Sequence, residues 1–120
     1  MAQSGNIVDL LEVGMKAERL RQQTIASNIA NIETPGYRRL DVKFDKLLAK
    51  ALKSPDSPDL DEIEPEIYQP LDTTVRSNGN DVDMETEVGN LVKNSLRYTT
   101  YVRLMQKRFR QIEGAISLGR

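Results

Sequence analysis

Apolar residues in the last third of the chain recur at alternating intervals of four and three: Met84, Val88, Leu91, Ser95, Tyr98, Val102, Met105, Phe109, Ile112 and Ile116. Ser95 alone interrupts the line. Such spacing, kept over four heptads, predicts one long helix with a seam along one side, wound at the 3.5-residue period of a left-handed supercoil. Lys93, Arg97, Arg103, Lys107, Arg108 and Arg110 all fall off the seam. Over residues 84–116 the helix would run roughly 50 Å at 1.5 Å per residue. Its seam needs an equally long partner.

The first third supplies one. Val8, Leu11, Met15, Glu18, Gln22, Ile25, Ile29 and Ile32 keep the same alternation, with two polar residues in the middle. A second apolar line, Leu10, Val13, Ala17 and Leu20, lies on a neighbouring face, more than one partner helix would cover. Residues 1–6 are small and polar and are expected to be unstructured. If the two helices fold antiparallel with Ile32 near Met84, Glu18 and Gln22 fall opposite Tyr98 and Ser95. Either this polar pair sets the register, or Glu18 and Gln22 mark an exposed break in the seam.

Between the helices the pattern changes. Thr34-Pro35-Gly36-Tyr37 places Pro and Gly where a type II turn requires them, and the residue before proline leaves the α region, so the helix should end by Glu33. Asn28 and Asn31 either fray its last turn or offer amides to a neighbouring chain. Residues 41–53 predict a short third helix capped by Asp41, with Phe44, Leu47, Leu48, Ala51 and Leu52 as its apolar stripe. Residues 54–65, with Pro55, Pro58 and Pro65 among acidic side chains, read as a linker with little to bury. Residues 66–69 and 73–76 are β-favouring and could form a small hairpin around Pro70. Ser77-Asn78-Gly79-Asn80 is a turn, after which Asp81 or Asp83 caps the last helix.

The expected fold class is therefore mainly α: long amino- and carboxy-terminal helices paired as an antiparallel, coiled-coil-like hairpin, with an irregular, acidic middle. Residues 1–37 form the first helix and its turn, 38–82 the middle, and 83–120 the last helix.

Charge adds a polarity to this picture. The chain of 120 residues carries a net charge of only −1. Residues 54–87, however, hold one basic and eleven acidic side chains, and residues 88–120 seven basic and one acidic. Opposite signs in separate segments suit ordered docking against copies or relatives of the chain; acidic loops and cationic helix ends also account for them. There is no Cys and no His, which excludes disulfides, thiol chemistry and the commonest general base. No apolar run approaches the roughly 20 residues that cross a bilayer, and residues 1–14 lack the layout of a cleavable secretory signal.

Ala26-Ser27-Asn28-Ile29-Ala30-Asn31-Ile32-Glu33-Thr34-Pro35-Gly36-Tyr37-Arg38-Arg39 resembles the amino-terminal signature of the bacterial flagellar rod and hook family of axial proteins. Asn78-Gly79-Asn80-Asp81-Val82-Asp83 and Asn94-Ser95-Leu96-Arg97-Tyr98 point, within that family, to the proximal rod of the basal body. Glu33 stands where the family usually has Asn. The resemblance implies a structural rod subunit that assembles with itself and with other flagellar rod proteins and transmits torque to drive motility. It further implies type III export without a cleaved signal, and contact with export gate or adaptor proteins at the rod base. The seam and the resemblance together place the assembly interface at Leu11, Met15, Ile25, Asn28, Ile29, Asn31, Ile32, Val88, Leu91, Tyr98, Val102, Met105, Phe109, Ile112 and Ile116. Thr34, Pro35, Gly36 and Tyr37 form the turn motif.

No catalytic, cofactor or metal site is expected. Asn78, Asn80, Asp81, Asp83 and Glu85 lack the spacing of an EF-hand loop, whose Gly comes sixth and whose Glu comes twelfth. The carboxylates of residues 56–66 have no apolar wall to shift a pKa. The basic residues of the last helix lie beside the seam and not ahead of it, unlike a bZIP arrangement, so no nucleic acid and no small-molecule substrate is expected. The alternative reading is a coiled-coil homodimeric adaptor or secretion chaperone.

Overall fold

The computed structural model describes residues 2–53 and 63–119. Five elements follow one another: α1 (Ala2–Ala30), β1 (Asp41–Lys43), α2 (Asp45–Leu52), β2 (Glu66–Tyr68) and α3 (Met84–Leu118). The long helices pack antiparallel, with Gly14 beside Tyr101, Glu18 beside Arg97 and Asn28 beside Glu87. The result is an elongated molecule of 67 × 30 × 15 Å. Among the described residues no helix is long and apolar enough to cross a membrane.

α1 begins at Ala2, so the expected unstructured start is replaced by helix. No proline interrupts residues 2–14, and backbone bonds carry the helix to its end. At its other end α1 closes as the proline demands. Asn31 N–H donates to the carbonyls of Ser27 and Asn28, at 3.1 and 3.3 Å. Tyr37 N–H then donates to Thr34 O at 3.2 Å across a turn whose Gly36 has φ +77°. That positive φ at the third position is the conformation a type II turn assigns to glycine.

The middle departs from expectation at two points. Residues 41–43 are a strand, and α2 starts only at Asp45. Val42 and Phe44 are both buried while Lys43 between them is exposed, a period of two that favours a strand over a helix. β1 pairs antiparallel with β2, Val42 opposite Ile67. The expected hairpin partner, residues 73–76, forms no strand. Pro70 has no N–H to give a ladder, Leu71 turns the chain with φ +59°, and Thr73 is drawn to Asp81 at 2.6 Å. The acidic linker falls largely on residues 54–62, outside the described residues, as do the side chains of Ala51 and Leu52. Its last part does have something to bury: Ile63 is 7% exposed.

That isoleucine joins the core. Ala17, Val42, Phe44 and Ile63 are buried together, with Leu10, Val13, Leu20, Leu47 and Leu48 packed around them. The second apolar line of α1 is thus covered by the sheet and α2, leaving its other face for α3. Each large side chain taken fully out of water here contributes about 1.5–3 kcal/mol.

At Gly14 the Tyr101 side chain of α3 lies directly against the backbone of α1. A Cβ there would lie 2.5 Å from the Tyr101 ring. Gly14→Ala gains helix propensity of about 1 kcal/mol but forces the ring or the helix to shift, which costs about 1–3 kcal/mol. A net loss in thermal stability is expected, relieved by Tyr101→Ala in the same chain; additive melting temperatures would place the cost elsewhere.

Candidate functional site: a buried clasp and an uncovered helix face

The end of α1 and the start of α3 are locked by polar groups. Asn28 is fully buried, and both ends of its amide are used. Its Nδ2 donates to Leu40 O at 2.9 Å and to Glu87 Oε2 at 3.1 Å. Its Oδ1 accepts from Leu40 N–H at 2.8 Å and from the Tyr37 hydroxyl at 3.0 Å. Glu87, also fully buried, takes Arg39 Nε at 3.0 Å on its other oxygen. Burial works against the charge of Arg39, but Glu87 and then Asp41 outweigh it and raise the guanidinium above its ordinary value.

A second set of bonds ties the two turns together. Asn80 Nδ2 donates to the carbonyls of Asn31 and Thr34, at 2.8 and 2.9 Å. Gly36 N–H donates to Asn78 O at 2.9 Å, and Arg76 reaches Ile32 O. Gly79, with φ +86°, sits so close that a Cβ would come within 3.2 Å of Gly36 Cα. Asp81 accepts from Arg39 N–H at 2.6 Å, Thr73 Oγ1 at 2.6 Å and Arg38 Nε at 3.0 Å. Asp83, not Asp81, caps α3, its carboxylate accepting from Thr86 N–H at 3.2 Å.

The clasp has a pH signature. Burial alone would raise the Asp81 carboxyl; the bonds from Thr73, Arg39 and Arg38 overcome it and hold the group below 3.8. A depressed folded value stabilises the protein above the unfolded pKa, and the gain is lost as pH falls through the folded value. Unfolding free energy should therefore drop below about pH 4, and Asp81→Asn should flatten that slope. Asp83 shifts the same way through Thr86, so some slope survives. An unchanged acid limb in Asp81→Asn would count against the assignment.

Midway along the helix pair, Glu18 is 1% exposed. It accepts from Arg97 Nε at 2.6 Å and Arg21 at 2.7 Å, and its backbone carbonyl accepts from Asn94 Nδ2 at 2.6 Å. A polar crossing exists, but its partners are Arg97 and Asn94 and not Tyr98 and Ser95; Gln22 and Ser95 are exposed. A guanidinium satisfies a buried carboxylate better than a phenol does. In its first half α3 is turned accordingly, so that Glu87 and Asn94 point inward one position ahead of Val88 and Ser95, while Met105 further on is buried at its seam position.

This turn divides the seam residues. Leu11, Ile25, Asn28 and Met105 are buried, while Met15, Ile29, Asn31, Ile32, Leu91, Tyr98 and Val102 are half-buried along the helix pair. Val88, Phe109, Ile112 and Ile116 face solvent. Asn31 Nδ2 bonds Ser27 O at 2.8 Å, so the amides of both asparagines are engaged within the chain. In the turn, Thr34, Pro35 and Gly36 are exposed and Tyr37 is half-buried. The inward roles of Glu87, Asn94, Asn80 and Asp81 were missed in the sequence. A signal existed in the two adjacent cations Arg38 and Arg39, which pair with Asp81 and Glu87.

Chemically the arrangement holds segments together through buried, paired polar groups. A polar cleft of about 320 Å³ opens between α1, β1 and α3, lined by Arg21, Thr24, Arg39, Asp41, Asp45 and Lys93 among others. The cations Arg21 and Arg39 there are engaged in ion pairs with Asp45 and Asp41. Among the described residues no group of three or more acidic side chains converges as a metal site would need.

Residues 11–38 match the model of the family described as flagella basal body rod protein, a stretch that holds most of α1 and, in the clasp, Asn28, Tyr37 and Arg38. Over nearly the whole chain, 98% of it and 97% of the relative, the sequence is 32% identical to the flagellar basal body rod protein FlgB of Bacillus subtilis. It is 31% identical to that of Borreliella burgdorferi over 78% of this chain and 82% of the relative. The corresponding protein of Yersinia enterocolitica is 32% identical, with 82% of each covered.

Proposed function

The chain belongs to the FlgB family of flagellar basal body rod proteins, and from that premise we propose that it is a structural subunit of the proximal rod that self-assembles through its long helices and transmits torque. The observation that carries the reading is the apolar surface α3 leaves uncovered. Phe109, Ile112 and Ile116 are 51, 39 and 54% exposed, although they continue a seam that is covered further back at Met105. Contiguous apolar surface of this kind marks a contact site. Neighbouring copies and other rod proteins are the partners that fit it.

The load path follows from the fold. Torque between subunits acts along paired helices, and the clasp fixes one helix of each pair to the other through buried charges that cannot slide without losing their partners. In this reading the subunit performs no catalysis. It lies in the periplasmic part of the basal body, reaches it by the flagellar type III route without a cleaved signal, and meets export gate or adaptor proteins at the rod base.

Complementation tests the proposal. Supplying the chain to a strain lacking its own copy should restore swimming, and the chain should copurify with isolated basal bodies. Recovery of the chain only from the cell interior, with sedimentation stopping at a closed dimer, would favour an adaptor or chaperone and sink the rod reading.

A further inference from the structure

We propose that the outward face of α3 receives the acidic, apolar strip at and beyond β2 of a second copy, joining copies head to tail. The inference rests on the reading of the chain as a self-assembling subunit and names the surfaces that meet.

One surface lies on α3, away from its buried edge. Val92, Leu96 and Leu104 are 55, 65 and 46% exposed, with the exposed cations Arg103 and Lys107 among them and Lys93 at their edge, on the rim of the polar cleft. No acidic residue occurs from Val88 to Ile112. None of these three cations has an ion-pair partner among the described residues. The face is apolar in character and of one sign.

The second surface begins on β2, which pairs only with β1 among the described residues. Ile67, Tyr68, Leu71 and Val75 are 49, 37, 57 and 45% exposed within nine residues of chain. Glu66 and Asp72 are exposed beside them, again without an ion pair among the described residues. This strip is also apolar; Lys43 of β1 stands opposite Glu66 and over the Tyr68 ring at 5.2 Å, and the carboxylates of Glu66 and Asp72 leave the strip with the opposite net sign.

Within one chain neither surface covers the other, since both remain exposed. Two copies of the α3 face laid together would oppose like charges, and so would two copies of the strip; only the mixed pairing joins apolar to apolar and cation to carboxylate. A contact between two different patches does not close on itself as a twofold dimer does. It leaves one patch free at each end, and repetition gives a ring or a helical array.

The chain has no cysteine, so placed thiols report the contact cleanly. Basal bodies are isolated from cells carrying Leu71→Cys, Leu96→Cys or both, and treated with a bismaleimide. The double variant should give a ladder of crosslinked multimers, and each single variant no dimer. A dimer from Leu96→Cys alone, or basal bodies that hold the double variant without a ladder, overturns the proposal. Charge exchange supplies the second arm. Arg103→Glu with Lys107→Glu should lose incorporation, and adding Glu66→Lys with Asp72→Lys to the same chain should restore it; a folded but unincorporated fourfold variant overturns the contact. Absence of the unaltered chain from basal bodies would instead overturn the rod reading, and this contact with it.

Discussion

Replacing Glu87 with Ala should cost about 3–5 kcal/mol of folding stability, the penalty for removing one member of a buried ion pair. Arg39 would keep only the more distant Asp41 at 3.5 Å, and Asn28 Nδ2 would lose one of its two acceptors. Both groups stay buried, so water cannot replace what is lost. A domain of this size has only about 5–15 kcal/mol in total, and the melting temperature should fall by more than about 10 °C. Glu87→Gln keeps the shape and one acceptor and should lose less. Replacing Glu87 and Arg39 together by apolar residues should recover part of the loss, because no orphan charge is left. Thermal melts followed by circular dichroism decide it; a loss below about 1 kcal/mol for Glu87→Ala would show that the pair is bystander to the fold.

Phe109→Asp combined with Ile116→Asp should leave the isolated chain folded and abolish assembly. Both side chains are more than half exposed on α3, and surface substitutions away from packed features change stability by about 0.5 kcal/mol or less. If each is buried between copies, its loss removes about 1.5–3 kcal/mol from every contact. That weakens each association by about two to four orders of magnitude for the pair. Sedimentation should show monomer at concentrations where the parent chain grows, and a strain carrying only the variant should not swim. Motile cells with this double change would mean that the exposed end of the helix touches nothing that matters. Met105→Asp is the contrasting control: it is buried and should unfold the chain itself.

Much of the fold is legible in spacing. The 4-3 lines set both long helices, Pro35 and Gly36 set the turn, and the line Leu10, Val13, Ala17 and Leu20 announced a second covered face. The sequence is ambiguous where one pattern serves two structures. Phe44, Leu47 and Leu48 fit a helical stripe from residue 41, and Val42 and Phe44 equally fit the alternation of a strand followed by a helix. Only the distant β2 and Ile63 choose between them. The rotation of α3 was hidden for a related reason. Apolar periodicity points Val88 inward, but Glu87 has a partner 48 residues away in Arg39 and Asn94 one 76 residues away at Glu18. Paired charges outbid an apolar stripe once both partners are buried, and that pairing is invisible to local pattern. In the candidate assembly surface, residues that the seam groups together fall into a packed set that includes Met105 and an outward set that includes Val88 and Phe109.

The clasp also orders events in time. Glu18 and Asn28 belong to the first quarter of the polypeptide, yet the groups that satisfy them include Glu87, Asn94 and Arg97. A chain made amino end first can satisfy those groups only in part, through Arg21, Tyr37 and Leu40, until residues 87–97 are available, and contacts of such long sequence separation form last. Premature closure is thereby discouraged.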